Sequence, residues 1–175
     1  MRVIAGEFRS RRLKSIPGAA TRPTPDRLRE TLFDILAPVI SGAEFVDAYA
    51  GTGAVGIEAL SRGAARAYFL ERGRAAIEAI RENIASLGLE GRASIIAGPV
   101  VRNLARVPPS IVFLDPPYDV EREYAAALHV LGESPPEIAI VQHSVRFEPE
   151  DVYGQLRRTR KVRQGDNVLS FYSAL

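Results

Sequence analysis

The chain has 175 residues, a net charge of +2 and no cysteine. This length predicts one domain with a substantial core, and the lack of cysteine excludes disulfides, thiolate metal sites and cysteine nucleophiles. No apolar run of the sequence approaches the length of a membrane span, and the first residues lack the apolar core of a signal peptide. We therefore expect a cytoplasmic protein.

Basic residues concentrate near both ends of the sequence, whereas the middle is mixed to acidic. Such asymmetry is typical of proteins that bind a polyanion, although either cluster alone also fits a solvated surface. The first cluster contains Arg2, Arg9, Arg11, Arg12, Lys14, Arg22, Arg27 and Arg29. The second contains Arg157, Arg158, Arg160, Lys161 and Arg163.

The predicted elements begin after a basic N-terminal arm or hairpin over residues 1–20, and residues 21–175 form the main domain. A helix is predicted to start at Thr24-Pro25-Asp26, with Thr24 as the N-cap and Pro25 in the first helical position. Apolar residues then recur at helical spacing, which predicts one buried face. They are Leu28, Leu32, Ile35, Leu36 and Val39.

From residue 45 onward, predicted strands and helices alternate. The strands are expected at 45–49, 67–70, 93–96, 110–114 and 138–141, and the helices at 54–62, 73–87, 100–106 and 121–131. The chain ends in a predicted hairpin, 156–162 and 168–172, around a turn of glycine, aspartate and asparagine. Repeated strand–helix units predict an α/β, Rossmann-like fold. Its seven-stranded, mostly parallel sheet would carry helices on both faces and the antiparallel hairpin at one edge.

The tetrapeptide Asp115-Pro116-Pro117-Tyr118 directly follows the predicted strand 110–114. Its position is the carboxyl end of that strand, where open α/β sheets bind their ligands. Asp115 can accept a hydrogen bond from an amine, the prolines stiffen the loop and remove donors, and Tyr118 can stack on a flat base. The motif therefore favours a site that holds an amine-bearing base, although an ordinary turn has the same composition.

A glycine-rich loop follows the first strand of the alternating region. Gly51, Gly53 and Gly56 match the G-x-G-x-x-G pattern of dinucleotide-binding proteins, and Glu71 ends the next strand where an acid would meet a ribose. A nicotinamide-dependent oxidoreductase is therefore one hypothesis. Asp47, just before the loop, is a poor neighbour for a pyrophosphate. It suits the ammonium and sulfonium of S-adenosylmethionine better.

These features together resemble class I S-adenosylmethionine-dependent methyltransferases that modify amines. The chain is similar over nearly its whole length to the RsmD family, which methylates N2 of a guanine in 16S ribosomal RNA. The resemblance is carried by Arg2-Val3-Ile4-Ala5-Gly6, by the segment from Arg22 to Phe33, by the segment from Asp47 to Gly63, and by Asp115-Pro116-Pro117-Tyr118.

The resemblance implies roles for individual residues. Asp115 and the Pro116 carbonyl would hold the target amine while Tyr118 stacks on the guanine. The cofactor would be bound by Asp47, Ala50, Gly51, Thr52, Gly53 and Glu71. The RNA would be bound by Arg9, Arg11, Arg12, Lys14, Arg22 and Arg27. This chain departs from the family's pattern at Ala97-Gly98-Pro99, where many relatives carry an acid or amide for the adenine, so backbone groups are expected to meet the adenine here.

The expected partner is 16S rRNA or the small ribosomal subunit, with no metal and no membrane, and a monomer is expected. Two related hypotheses stay open, methylation of adenine N6 and of a protein glutamine. A non-catalytic RNA-binding protein with a relict cofactor fold is opposed by the intact Asp115 motif. Neither His129 nor His143 has metal-ligand spacing to another histidine, and neither is assigned a role.

Overall fold

The computed structural model describes residues 1–16, 24–107, 110–117 and 121–175. The strands in these ranges are β1 Glu44–Ala48, β2 Arg66–Glu71, β3 Ala93–Ala97, β4 Ile111–Leu114, β5 Ile138–Ser144, β6 Val152–Tyr153, β7 Leu156–Gln164 and β8 Asn167–Ala174. In this part of the chain they form one eight-stranded sheet with the order β3-β2-β1-β4-β5-β8-β7-β6. Strands β1 to β5 pair in parallel, and β6, β7 and β8 pair antiparallel at one edge.

Helices cover both faces of this sheet, as the sequence predicted. They are α1 Asp26–Leu36, α2 Ala54–Ser61, α3 Arg74–Leu87, α4 Val100–Leu104 and α5 Glu121–Glu133. One apolar core joins α1, α2 and α3 to the sheet through residues such as Leu32, Ile57 and Ile80. A second core joins α4 and α5 to the opposite face through Leu104 and Leu128. No helix in the described ranges is both long and apolar enough to cross a bilayer.

The sheet has one more strand in the described ranges than the sequence predicted. Strand β6 has only two residues and pairs with the start of β7. It lies against α5, where a Cβ on Gly132 would fall 2.2 Å from the Tyr153 carbonyl oxygen. The backbone N–H of Gln155 donates to the Gly132 carbonyl at 3.0 Å. A strand this short has no measurable hydrophobic period, so the pattern could not predict it.

The predicted start of α1 is wrong in one respect. The helix begins at Asp26, Pro25 occupies the N-cap position, and no side chain caps the first turn. Thr24 lies one residue too early for its hydroxyl to reach the helix amides. It contacts two side chains at the edge of the sheet instead.

The N-terminal segment, residues 1–14, folds back on itself and packs against α2. Its strand-like character is limited to one antiparallel bridge between Arg2 and Arg12. Val3 and Leu13 are buried in the core with α1 and α2. Glu58, fully buried on α2, accepts hydrogen bonds from the backbone N–H groups of Ile4 (2.8 Å) and Ala5 (3.0 Å). A buried carboxylate bonded to two amides fixes this segment to the helix.

Candidate active site

Two acidic side chains lie at the carboxyl ends of neighbouring strands. Asp47 is the fourth residue of β1 and pairs with Phe113 of β4, while Asp115 directly follows β4. The backbone N–H of Asp115 donates to the Ala48 carbonyl at 3.4 Å, which extends the ladder into the motif. The fold therefore brings together the two acids that the sequence placed in separate motifs, at the edge where such sheets bind ligands.

Asp47 is a buried carboxylate surrounded by further negative charge. Its Oδ2 accepts a hydrogen bond from the backbone N–H of Gly56 at 2.8 Å. Burial raises the pKa of Asp47 well above its usual value, and the nearby carboxylates of Asp115 and Glu71 raise it further. A cluster of three acids stabilises a cationic ligand and disfavours a pyrophosphate. This electrostatic arrangement opposes the nicotinamide hypothesis.

Asp115 has a pKa close to neutrality. Burial raises the pKa of its carboxyl to about 7, and a hydrogen bond from Thr24 acts in the opposite direction. A carboxyl group in this state can exchange its proton near physiological pH, which is the property expected of a group that receives a proton during a reaction.

A threonine and a glutamine complete the surroundings of Asp115. The Thr24 hydroxyl lies 3.4 Å from Asp115 Oδ2 and 3.2 Å from Oε1 of Gln142, so its single proton can serve either acceptor. Gln142 is buried on β5, level with Asp115 across the parallel ladder between β4 and β5. These two contacts hold the start of α1 beside Asp115 and Gln142.

Pro116 presents its backbone carbonyl beside Asp115. The hydroxyl of Tyr124, a buried residue of α5, donates to this oxygen at 3.2 Å. A carbonyl oxygen has two lone pairs, so it can accept a second hydrogen bond from a bound amine. Tyr118, the predicted stacking residue, lies outside the described residues.

The glycines of the loop serve two different purposes. Gly51 and Gly53 adopt left-handed backbone angles, φ 59° and 81°, which side chains with a Cβ rarely adopt. Gly56 lies within α2, and a Cβ there would fall 2.4 Å from a ring carbon of Phe69. The first two glycines therefore shape the loop, and the third lets α2 approach β2 closely. The G-x-G-x-x-G pattern found in the sequence has the same meaning in dinucleotide-binding folds, where the first two glycines shape the loop and the third allows close packing of helix on strand.

Glu71 holds the glycine loop from the neighbouring strand. Its Oε2 accepts the backbone N–H of Gly51 at 2.9 Å, and its Oε1 accepts those of Arg72 and Gly73, each at 2.8 Å. Ala50 and Thr52 lie on either side of Gly51, and the Ala50 N–H donates to the Leu70 carbonyl at 3.1 Å. All six predicted cofactor residues therefore lie on β1, on the loop after it or at the end of β2.

The loop begins with a residue in an unusual conformation. Tyr49 has a positive φ of 64°, which is uncommon for a residue with a bulky side chain. Its hydroxyl donates to Glu123 of α5 at 2.7 Å, which holds the turn in place. Such a conformation at the exit of a strand is frequent in functional sites, because the surrounding structure must stabilise it.

The predicted RNA-binding residues that the structure describes differ in their contacts with the rest of the chain. Arg9, Arg11 and Arg12 are exposed on the N-terminal segment, although Arg11 donates to the Ser86 carbonyl at 3.0 Å. Lys14 forms a salt bridge with Glu82 at 2.5 Å. Arg27 is exposed in the first turn of α1, three residues after Thr24, whose hydroxyl contacts Asp115. Arg22 lies outside the described residues.

Arg29, which the sequence placed in the basic cluster, is not available to a polyanion. Its side chain is fully buried, and its Nη2 donates to the Arg2 carbonyl (2.7 Å) and to Asp26 (2.9 Å). Burial lowers the pKa of Arg29, while the charge of Glu58 acts in the opposite direction. This guanidinium joins α1 to the N-terminal segment inside the protein.

Sequence reasoning missed Thr24, Gln142 and Tyr49 as parts of the site. Gln142 gave a usable signal, because it is a polar residue that extends the apolar run from Ile138 to Val141 at the carboxyl end of a central strand. A polar side chain at that position usually faces a ligand. Thr24 and Tyr49 gave no comparable signal, since their roles depend on contacts between distant parts of the chain.

Comparison with known proteins reveals one family over the length of the chain. The model of the family described as Conserved hypothetical protein 95 matches residues 1–173. Bacillus subtilis YlbH is 33% identical over 181 residues, which cover 98% of both chains. Ribosomal RNA small subunit methyltransferase D of Escherichia coli is 44% identical over 120 residues, which cover 67% of this chain and 60% of that protein.

Solved structures agree with this assignment. Escherichia coli yhhF superposes with a TM-score of 0.82 at 34% identity and covers 99% of this chain and 97% of its own. An RNA methyltransferase of Salinibacter ruber in complex with S-adenosyl-L-homocysteine has a TM-score of 0.66 at 18% identity, covering 87% of this chain and 94% of that one. The Rossmann-like class I methyltransferase fold predicted from the sequence is thereby confirmed.

Proposed function

We propose that this chain methylates ribosomal RNA with S-adenosylmethionine as the donor. The chain belongs to the family described as Conserved hypothetical protein 95, which is the RsmD family. We further propose the exocyclic N2 amine of a guanine in 16S rRNA as the target, and a cytoplasmic monomer as the acting form. The substrate class is supported by the relative named small subunit methyltransferase D. The observation that carries the proposal is the adjacency of Asp47 and Asp115 at the ends of β1 and β4.

The residues around Asp47 fit S-adenosylmethionine. Apart from its two chain neighbours, no described residue has a heavy atom within 4 Å of the position that a Cβ on Gly51 would occupy, so the loop leaves open space beside the acidic cluster. Asp47 would bind the positively charged part of the ligand, which would in turn favour the ionised form of its carboxyl group, and the Oε2 of Glu71 would accept a further hydrogen bond from a ribose. Bound here, the cofactor would supply an electrophilic methyl group on a positively charged sulfur.

The acceptor side follows from the chemistry of an aromatic amine. Its nitrogen lone pair is conjugated with the ring and is a weak nucleophile. Asp115 and the Pro116 carbonyl would accept hydrogen bonds from the two N–H bonds and orient the lone pair. Positive charge develops on the nitrogen as it is alkylated, so these acceptors stabilise the transition state more than the ground state. With a pKa of about 7, Asp115 can hold the released proton on its carboxyl oxygen.

Recognition of the RNA requires the base to leave its stack. Flipping a base out costs a few kcal/mol, which stacking on an aromatic side chain such as Tyr118 would offset. The basic residues of the N-terminal segment, Arg9, Arg11, Arg12 and Lys14, together with Arg22 and Arg27, are proposed to contact phosphates. Neutralising Arg9, Arg11 and Arg12 together should weaken RNA binding and flatten its salt dependence.

The decisive experiment measures transfer of a labelled methyl group to 16S rRNA transcribed in vitro, both naked and assembled into small subunits. The modified nucleoside is then identified after digestion. We expect N2-methylguanosine, and N6-methyladenosine would refute the assignment of the target. Label in a protein fraction with none in RNA would refute an RNA substrate altogether.

A ligand-binding measurement separates the two cofactor hypotheses. S-adenosylhomocysteine at one hundred times its Kd should stabilise the fold by about 2.7 kcal/mol. For a domain of this size the corresponding rise in Tm is about 5–10 °C. NAD at the same concentration should leave the Tm unchanged, and the reverse pattern would exclude the methyl donor.

A further inference from the structure

We propose that Arg146 and Arg163 form a second RNA-binding surface, the acceptor-edge surface, which holds the phosphates flanking the target base. This inference rests on the proposed function, and it assigns the RNA backbone next to the reacting base to residues outside the N-terminal segment. Neither Arg146 nor Arg163 belongs to the glycine loop or to the Asp115 motif.

The topology places these arginines beside the acceptor. Strand β8 runs antiparallel to β5, with Asn167 paired to Ser144, so the turn of the β7–β8 hairpin lies at the carboxyl end of β5. The N–H of Val145 donates to the Asp166 carbonyl at 3.0 Å, which joins the turn to the exit of β5. The tip of the hairpin is therefore at the same edge of the sheet as Asp115.

The register gives the approximate separations. Arg163 pairs with Val168, which pairs with His143, one residue beyond the level of Asp115 and Gln142. Arg163 lies on β7, three strands away from β4 in the sheet order, so its backbone is about 14 Å from Asp115 at ~4.8 Å per strand. This separation suits a phosphate a few nucleotides from the flipped base.

Salt bridges divide the basic run of the hairpin into compensated and uncompensated charges. Arg158 pairs with Glu148 and Asp151, and Lys161 also pairs with Glu148. Arg146 and Arg163 are exposed and take part in no salt bridge with the described residues, although the Arg163 Nε donates to the Gly165 carbonyl at 3.1 Å. Uncompensated cations attract phosphates more strongly than paired ones, because no opposite charge has to be displaced.

The N-terminal segment reaches the opposite edge of the sheet, at the amino ends of the parallel strands. The N–H of Glu7 donates to the Ser61 carbonyl at 2.8 Å, and the Glu7 side chain forms a salt bridge with Arg92 at 3.1 Å. Ser61 ends α2 and Arg92 directly precedes β3, so both lie at the amino ends of the parallel strands. The tip of the segment, which includes Arg9, is therefore at the edge opposite to Asp115. The segment and the acceptor-edge surface are two separate candidates for RNA contact.

Strand β7 offers a matched control. Arg157 is exposed on the same strand and has no salt bridge with the described residues. It pairs with Ser173 of β8, and the preceding residue of β8, Tyr172, pairs with Ala139 near the start of β5. It lies at the amino end of β5, about 17 Å along the strand direction from Arg163 at ~3.3 Å per residue. Arg163→Gln and Arg157→Gln thus make the same change of charge at opposite edges.

The test measures Kd for naked 16S rRNA transcript as a function of salt concentration. Loss of one phosphate contact should reduce the salt slope by about 0.7 and weaken binding about five-fold at 0.1 M salt. We expect this change for Arg163→Gln and no change for Arg157→Gln. For Arg163→Gln combined with Arg146→Gln, the reduction of the salt slope should be about twice as large. In methyl transfer, the KM for RNA should rise while kcat stays the same.

The outcomes separate this inference from the proposed function. If the unaltered protein methylates rRNA and Arg163→Gln behaves like Arg157→Gln, the acceptor-edge surface is refuted and the proposed function stands. If the unaltered protein neither binds nor methylates rRNA, both are refuted. A defect seen with assembled subunits but not with naked RNA would point to a protein contact and also refute the inference. Equal stabilisation of all variants by S-adenosylhomocysteine controls for folding.

Discussion

Replacing Asp115 by asparagine should make the protein more stable and less active at the same time. The substitution keeps the size of the side chain and removes its charge and its titration. Burial raises the pKa of Asp115 from 3.8 to about 7, so the fold opposes the charged form that the proposed reaction requires. Stability and activity should therefore respond in opposite directions.

The sign and size of the stability change follow from proton linkage. Below pH 3.8 the carboxyl is protonated in both the folded and the unfolded chain, and it contributes no pH dependence. Between pH 3.8 and about 7 the folded chain keeps a proton that the unfolded chain has released, so the free energy of unfolding falls as pH rises. The complete loss, reached above pH 7, is on the order of 4 kcal/mol at ~1.4 kcal/mol per pKa unit.

The assay is urea unfolding of both proteins at pH 4, 6 and 8. Their free energies of unfolding should agree at pH 4, and the variant should be more stable at pH 8 by up to about 4 kcal/mol. The pH dependence of groups that do not interact with Asp115 cancels in this difference, whereas Asp47, whose pKa the Asp115 charge raises, contributes to it. A constant difference from pH 4 to pH 8 would refute the raised pKa.

Activity gives the second readout of the same group. For the unaltered protein, kcat/KM should rise with pH around 7, and at pH 6 it should be about one tenth of its plateau, since only the ionised carboxylate accepts both the amine and its proton. Asp115→Asn should lose about 100-fold or more in turnover while binding of S-adenosylhomocysteine persists. Near-normal turnover in the variant would remove Asp115 from the mechanism.

Three further changes test other parts of the site. Thr24→Val removes a hydrogen bond that lowers the pKa of Asp115, so the pH–activity profile should move to higher pH, and Thr24→Ser should restore it; a profile that stays in place would contradict this positioning role. Gly56→Ala places a methyl group 2.4 Å from a ring carbon and should cost about 1–3 kcal/mol in urea unfolding, whereas Gly91→Ala, in open space, should change stability by less than about 0.5 kcal/mol. Glu58→Gln removes the buried partner of the Arg62 ion pair and the carboxylate charge that most favours charged Arg29, and should cost about 3 kcal/mol, which the midpoint of thermal unfolding will reveal.

Most of the fold follows from the sequence because its strands and helices alternate with clear periods. The strand that ends before Asp115 and the loop that begins at Gly51 were predictable, since an apolar run followed by a turn motif defines each of them. The roles of Thr24 and Gln142 were not, because the contact between them joins positions 118 residues apart. Periodicity carries no information about which distant side chains meet, and a hydroxyl just before a helix predicts a cap in the absence of tertiary contacts.

Asn83 connects the N-terminal segment to the glycine loop. Its side chain donates to the carbonyls of both Lys14 and Thr52, at 3.2 and 3.0 Å, and accepts the Lys14 N–H. One amide group therefore joins the end of the N-terminal segment to the middle of the glycine loop. If a nucleic acid that shifts this segment also changes the affinity for the methyl donor, thermodynamic reciprocity requires that the donor change the affinity for the nucleic acid by the same factor.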